Sequence, residues 1–168
     1  MKRFPPALSQ VLRFVALATM LVVPLAYADD YSTVSQLARS GKPAEALAKA
    51  EAYLATNPRD PQMRFIKGVI LTNTGKTADA IATFTQLTQD YPELPEPYNN
   101  LAVLYGAQGQ FEKARAELEM AVRANPGYAI AYENLGDVYA RLAAQSYAKA
   151  VQLDATIGAS ATPKLTLI

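Results

Sequence analysis

Glu133, Asp137 and Arg141 are the residues whose types and spacing come closest to a catalytic set. They lie four apart, so a helix would place them along one face. Paired carboxylates can do acid–base work, but no other residue nearby supports that chemistry. The plainer interpretation is that Asp137 and Arg141 form an ordinary helix-stabilising pair worth roughly a few tenths of a kcal/mol.

Composition argues further against catalysis. The 168 residues include no His, no Cys and no Trp. Without His the commonest general base and metal ligand are missing, and without Cys there is no thiol nucleophile, thiolate metal site or disulfide. No P-loop, G-x-G-x-x-G or G-x-S-x-G motif is present. We therefore predict that the protein is not an enzyme, with no catalytic residue, no metal and no cofactor.

The N-terminus has the composition of an export leader. Basic residues precede an apolar stretch at 14–28, which ends in the small–large–small sequence Ala26-Tyr27-Ala28. A stretch of this length is short of the roughly 20 residues that span a bilayer. We predict a signal peptide over 1–28 that is cleaved after Ala28. The mature chain would be periplasmic in a bacterium, without membrane insertion. The alternative is an uncleaved leader that tethers the chain to the inner membrane.

Charge gives no sign of a nucleic-acid partner. The whole chain has a formal net charge of +1 from 16 basic and 15 acidic residues. Three basic residues fall before position 29 and every acid falls after it, so the mature part has 13 basic and 15 acidic groups, a net of −2. A near-neutral balance with no basic run predicts that the chain does not bind nucleic acid.

A 34-residue period organises the rest of the chain. Glycine, alanine and proline recur in one frame: Gly41, Gly75 and Gly109; Ala46, Ala80 and Ala114; Pro58, Pro92 and Pro126. A period of this length indicates stacked helix–turn–helix units, which we place at about 27–60, 61–94 and 95–128. Such a stack is normally a binding surface rather than a reaction centre.

The unit at 61–94 shows how each residue serves the pattern. We predict a first helix over 61–74 and a second over 77–90. Gly75 would adopt the left-handed conformation that ends the first helix, and Pro92 would stop the second. Gly68 and Ala80 are small, so we expect them to let the two helices approach closely.

These positions resemble the tetratricopeptide repeat family. The matching residues are Tyr98, Leu101, Ala102, Tyr105, Ala114, Leu118, Ala121 and Pro126, followed by Tyr132, Leu135, Gly136 and Tyr139. The resemblance covers about 30–154. It implies an all-α fold, an α-solenoid of about three helix–turn–helix units plus a long C-terminal capping helix.

The fourth unit departs from the period. After Tyr139 five residues are missing, and no Gly or Pro lies between Asp137 and Ile157. Helical spacing continues straight through, so we predict one long helix over 129–154 as the cap of a repeat domain at 29–154. The tail, 155–168, has the composition of a linker or a disordered segment with an apolar end. The chain could also be the first module of a longer protein.

The resemblance implies that the first helix of each unit lines a concave groove. The groove candidates are Phe65, Ile66, Val69, Asn73, Asn99, Asn100, Val103, Asn134, Asp137 and Arg141, with Tyr31, Ser32, Ser35 and Arg39 at matching places in the first unit. The amides of Asn99, Asn100 and Asn134 can both donate to and accept from a peptide backbone. Phe65, Ile66 and Val69 would add an apolar pocket.

The same residues could instead have purely structural roles. The asparagines would then be solvated or cap loops, and the apolar residues would pack on neighbouring helices. Only Arg39 and Arg141 are basic, at opposite ends, so no clamp for a terminal carboxylate is predicted. The leading hypothesis is a non-enzymatic adaptor of the cell envelope that holds a peptide or protein segment. The alternative is an assembly or accessory subunit, or the N-terminal module of a larger cell-wall or secretion protein, pairing through its outer helices or tail.

Overall fold

The structure is a computed structural model that describes residues 23–166, with side chains from Asp30 onward except that of Leu165. Its regular elements are all helical: α1 Val23–Arg39, α2 Pro43–Thr56, α3 Pro61–Asn73, α4 Thr77–Asp90, α5 Pro95–Ala107, α6 Phe111–Ala124, α7 Ala129–Leu153, a 3₁₀ turn Ala155–Ile157 and α8 Gly158–Leu165. The all-α fold class is confirmed. Most of the predicted leader, 1–22, lies outside the described residues, and none of the described helices is long and apolar enough for a membrane span.

Glycines end the first helix of each pair, as the period predicts. Gly41, Gly75 and Gly109 have φ of 75°, 74° and 72°, the left-handed region that residues with a Cβ disfavour. Behind Gly75, the backbone N–H of Lys76 donates to the carbonyl of Leu71 at 2.9 Å, which closes the helix end. The helix observed over Pro61–Asn73 stops one residue before the predicted end, and the second, Thr77–Asp90, matches its prediction.

The chain divides into two compact units, Met1–Ile66 and Lys67–Ile168. In the described part of the first, α1 packs against α2, where Val34, Ala46 and Ala50 are buried. These small residues fall on one stripe of each helix, so the helices can approach closely.

A polar cluster links the helices of the first unit. Asp60 Oδ1 accepts the backbone N–H of Met63 at 2.8 Å, which satisfies a free donor at the start of α3. Asp60 Oδ2 accepts the hydroxyls of Tyr31 and Tyr53, whose rings lie 5.7 Å apart. Tyr31, predicted to match a groove position, is thus engaged with Asp60 in this structure.

Helices α5, α6 and α7 build the core of the second unit. The buried residues of this cluster are Tyr98, Ala102, Ala114, Leu118, Ala121, Ala131 and Val138. Gly68 allows α3 and α4 to approach closely, as predicted, but the group that occupies the space beside it is the aromatic ring of Phe84. A Cβ on Gly68 would lie 2.6 Å from Cε1 of Phe84 on α4. Ala80 is fully buried nearby on the same helix α4.

The end of the chain holds one confirmed prediction and one correction. The long helix is present as α7, which runs unbroken for 25 residues. The tail, predicted as a linker, instead forms the 3₁₀ turn and α8, which pack on α7. Asp154 turns the chain by accepting the backbone N–H of Thr156 at 2.9 Å. Ala161 of α8 is buried, with 1% of its surface exposed. Alanine suits this position because it favours a helix and its small side chain packs closely.

Candidate functional site

The second unit contains an open cleft of about 560 Å³. Helix α6 contributes apolar residues, while α5 and α7 contribute small and polar ones. Its lining residues are Ala102, Val103, Gly106, Phe111, Leu118, Asn134, Asp137, Val138, Ala140, Arg141 and Ala144. The volume falls within the range of roughly 300–1,000 Å³ that is usual for ligand sites.

Helical spacing explains why these residues meet. On α7, Asn134, Asp137 and Arg141 are three and four residues apart and so share one face. Between them and the facing helix stand residues with little or no side chain, such as Gly106 on α5 and Ala140 on α7. Because small side chains leave space that larger ones would fill, the cleft stays open between well-packed helices.

Two of the predicted clamp residues form one hydrogen-bonded pair. The Nδ2 of Asn134 donates to Oδ1 of Asn99 at 2.7 Å. Asn99 is only 8% exposed and is not part of the cleft lining, so it lies behind Asn134 and holds that amide in place. Within the described part of the chain, Asn134 keeps its own oxygen and one amide hydrogen without a partner. Asn134 therefore retains both a donor and an acceptor at the cleft.

The two charged residues of the cleft are exposed and separate. Among residues 23–166, no ion pair within 4.0 Å joins Asp137 to Arg141, so the ordinary helix pair expected from their spacing is not formed. Glu133 is exposed outside the cleft lining. Only one carboxylate of the suspected acid–base pair therefore faces the cleft. No group of three acids that could hold a metal occurs in the described residues.

The other predicted residues lie at several places. Val103 lines the cleft and is 50% exposed. The Nδ2 of Asn100 donates to the backbone carbonyl of Glu96 at 2.9 Å, within its own helix. Val69 and Asn73 lie on the part of α3 that belongs to the second unit, but neither lines the cleft. Phe65 and Ile66 are half-buried residues of the first unit.

The sequence-based candidates did not include the apolar residues that α6 contributes to the cleft. Phe111 and Leu118 come from α6, a second helix of a repeat, whereas the candidates were drawn from first helices alone. Phe111 did carry a signal. The residues 34 and 68 positions earlier are Thr77 and Pro43, so a large ring at this point of the repeat is unusual within the chain.

The fold and the cleft together define a helical repeat protein built for binding. Two family models described as tetratricopeptide repeat match the chain, one over residues 71–142 and one over residues 33–95. Their ranges overlap and together include α2 to α6 and the first part of α7. The chain belongs to the tetratricopeptide repeat family.

Curated relatives match over short segments. The chloroplastic tetratricopeptide repeat domain-containing protein PYG7 of Arabidopsis thaliana is 44% identical over 50 residues, which is 30% of this chain and 17% of that protein. The repeat-containing protein YvcD of Bacillus subtilis is 37% identical over 65 residues, 39% of this chain and 13% of that protein. The matches thus span less than a fifth of either relative.

Solved structures agree on the fold. A repeat protein of Thermus thermophilus matches with a TM-score of 0.62 and 27% identity, covering 83% of this chain and 81% of that one. YrrB, described as having an unusual peptide-binding site, matches with a TM-score of 0.57 and 26% identity over 62% of this chain and 54% of its own. The Yersinia enterocolitica chaperone SycD, solved with a peptide of the translocator YopD, shares the fold at 16% identity and a TM-score of 0.62, over 68% of this chain and 92% of its own.

Proposed function

We propose that this protein is a non-enzymatic scaffold that holds an extended peptide or protein segment in the cleft between α5 and α7. The observation that carries the proposal is the set of three side chains on α7, Asn134, Asp137 and Arg141, which keep polar groups without partners among the described residues, beside an apolar floor. A peptide presents both backbone amides and side chains. Polar groups without partners can bind its amides, and an apolar depression can bind its apolar side chains.

Each part of the cleft suits one part of a peptide. Asn134 can accept from a backbone N–H and donate to a carbonyl, and Asn99 already holds it in position. The ring of Phe111 and the exposed side chain of Val103 suit an apolar side chain. Asp137 and Arg141 present opposite charges one helical turn apart, so they favour a segment with a basic and an acidic residue close together. A single arginine does not make a clamp for a terminal carboxylate.

The relatives support a ligand of this class. YrrB is described with an unusual peptide-binding site, and the family connection makes protein binding the expected use of the fold. SycD supports only the fold at its level of identity. The surface that we propose here rests on this chain's own cleft residues.

For the location, we propose that the protein is exported and works in a bacterial periplasm, or at the inner membrane if its leader remains. The basic, apolar and small-residue parts of 1–28 support this. An alkaline phosphatase fused after residue 168 becomes active only outside the cytoplasm. Activity of the fusion, lost when 1–28 are deleted, is expected, and an inactive full-length fusion would contradict export.

A displayed peptide library tests the binding proposal. Peptides selected on the full chain should bind Asn134→Ala and Arg141→Ala about tenfold or more weakly, because each change removes hydrogen bonds to the ligand. Lys149→Ala is the matched control, since Lys149 lies two turns further along α7 and outside this cleft. Equal binding of the selected peptides by all four proteins would show that the cleft is not the site.

A second function, as an assembly or accessory subunit, is favoured by a different observation. Tyr132 and Tyr139 on α7 are 50% and 49% exposed, on the side of the helix away from the cleft. Large exposed rings are typical of protein–protein contact surfaces. Such a subunit would pair through this outer helix, and a peptide cleft and a pairing surface are compatible in one molecule.

A further inference from the structure

The outer face of α7, formed by Tyr132, Gly136 and Tyr139, lacks the cover that its counterparts have. The residues 34 positions earlier are Tyr98, Ala102 and Tyr105 on α5. Tyr98 is 5% exposed and Ala102 is 2% exposed, because Ala114, Leu118 and Ala121 of the next helix, α6, belong to the same core cluster. Tyr132 and Tyr139 are about half exposed. The outer face is thus a first-helix surface whose second helix is missing.

The pattern of that second helix is present further along the same α7. Covering helices carry core residues at spacings of four and then three, as at Ala80, Phe84 and Leu87 and at Ala114, Leu118 and Ala121. Ala143, Tyr147 and Ala150 have the same spacings. What differs is the connection between the two helices, which is five residues shorter here. Eight residues separate Tyr105 from Ala114, whereas three separate Tyr139 from Ala143.

Gly136 points to the group that should cover this face. In the second repeat, Gly68 makes room for the ring of Phe84, which a Cβ there would approach to 2.6 Å. Gly136 is the counterpart of Gly68, and Tyr147 is the counterpart of Phe84 once the five missing residues are counted. Yet a Cβ on Gly136 would meet no atom within 4 Å. A glycine inside a helix is disfavoured against alanine unless a neighbour needs the space.

Tyr147 of the same molecule does not reach Gly136. The two residues are eleven positions apart on one straight helix, roughly 16 Å along its axis. The second half of α7 also cannot fold back onto the first half. The turn between α5 and α6 uses Gly109 at φ 72°, but residues 140–142 contain no glycine. A connection too short to turn favours exchange of the segment between two copies.

We propose that two copies of this chain form an exchanged dimer, in which the second half of each α7 covers the outer face of the other. The helices run antiparallel, with Tyr147 of one copy against Gly136 of the second copy. Ala150 then faces Tyr132 and Ala143 faces Tyr139. The three pairs centre within half a residue of one another, at 141 to 141.5, as a two-fold axis requires, so each copy gives and receives the same contact.

One feature of the monomer fits this arrangement, and one contact of the monomer has to be broken for it. The cleft residues of α7 lie about half a turn of the helix from Tyr132 and Tyr139, so pairing does not use them and stands independently of the peptide proposal. Helix α8 shields Tyr147 in the single copy, with Lys164 Nζ 5.6 Å from the ring centre. We expect α8 to give way, because it is a helix of only 8 residues with little buried surface.

Disulfide trapping tests the register of the exchanged dimer. The full chain contains no Cys, so Tyr132→Cys with Ala150→Cys introduces one defined pair. The two positions are roughly 27 Å apart along one helix, which excludes a bond within one copy. Mild oxidation should give a covalent dimer. In the control, Tyr132→Cys with Gln152→Cys, the second thiol points away from the contact and should leave monomers. Monomers from both pairs, or equal dimers from both, would overturn the proposal.

Sedimentation equilibrium of the full chain tests the role of Gly136. Gly136→Ala should weaken the dimer by about tenfold or more, since its Cβ would meet the tyrosine ring, although alanine favours the helix. Gly106→Ala is the control, because a Cβ there meets no atom within 4 Å. Repeating residues 107–111 after Ala140 restores the missing connection and should give a monomer. An unaltered dimer in either variant, or no dimer in the unmodified chain, would contradict the exchange.

Discussion

Asp60 shows at the scale of single residues how one carboxylate can organise the first unit. One of its oxygens receives the backbone N–H of Met63 at the start of α3, and the other receives the hydroxyls of Tyr31 and Tyr53. The tyrosines come from α1 and α2. The carboxylate therefore joins three consecutive helices, in a unit that otherwise buries mostly small side chains.

Removal of this carboxylate should destabilise the protein. We expect Asp60→Ala to lower the free energy of unfolding by about 2 kcal/mol, because it removes a helix cap and leaves two tyrosine hydroxyls without their acceptor. Asp79→Ala is the control, since Asp79 is an exposed acid in the first turn of α4. Urea unfolding followed by circular dichroism measures both. An equal midpoint for the two variants would contradict the role of Asp60.

The same cluster predicts a dependence on pH. Burial and then the hydrogen bond to Asp60 raise the pKa of the Tyr31 hydroxyl well above its ordinary value of 10. Because the folded state keeps this proton while the unfolded state releases it, the contribution to stability is complete below about pH 10 and is lost as the pH rises further.

Tyr31→Phe separates this effect from general alkaline unfolding. The variant should lose less stability than the unmodified chain between about pH 9 and pH 11, since it has no proton to release at that position. Urea midpoints at each pH are the measurement. Parallel losses in the two proteins would show that Tyr31 does not titrate differently on unfolding.

At the scale of the helices, the connections between them are where the backbone geometry most restricts the residue type. Gly109 adopts φ 72° at the end of α5, and its N–H donates to the carbonyl of Gly106 at 2.9 Å. A Cβ at Gly109 would touch nothing, so its requirement comes from the backbone angle rather than from packing.

Two neighbouring glycines give opposite predictions. Gly109→Ala should cost about 1 kcal/mol of stability, because alanine disfavours the left-handed region. Gly106→Ala, three residues earlier within α5 and without close neighbours, should gain about 0.5–1 kcal/mol because alanine favours a helix. Thermal unfolding of the two variants should therefore shift in opposite directions, and a shift of the same sign in both would refute the assignment.

The helices could be predicted from the sequence because their signals are local. Glycine and proline mark the ends at fixed intervals, and the unbroken spacing after Tyr139 predicted α7. Two features depended on information that is not local. The burial of Asn99 follows from which side of its helix a neighbour covers, which periodicity alone does not state. The helix α8 depends on Ala161 finding a place against α7, although its Ala- and Thr-rich composition is also typical of a linker.

At the scale of the whole molecule, α7 gives the second unit two surfaces with different chemistry. The side that faces α5 and α6 has the available polar groups of Asn134, Asp137 and Arg141 beside the apolar floor. The opposite side exposes Tyr132 and Tyr139 around a glycine. The loss of five residues from one repeat connection accounts for the second surface, because it keeps the last covering segment in line with α7 instead of folding it back.

The central claim is that the cleft between α5 and α7 holds a peptide. Nuclear magnetic resonance of the isotope-labelled full chain, titrated with one library-selected peptide, tests it most directly. We predict that the largest changes in chemical shift occur at Val103, Asn134, Asp137 and Arg141, and that the side-chain amide signals of Asn134 move with the peptide concentration. Changes confined to Tyr132, Tyr139 and α8, with the cleft signals unmoved, would contradict the account.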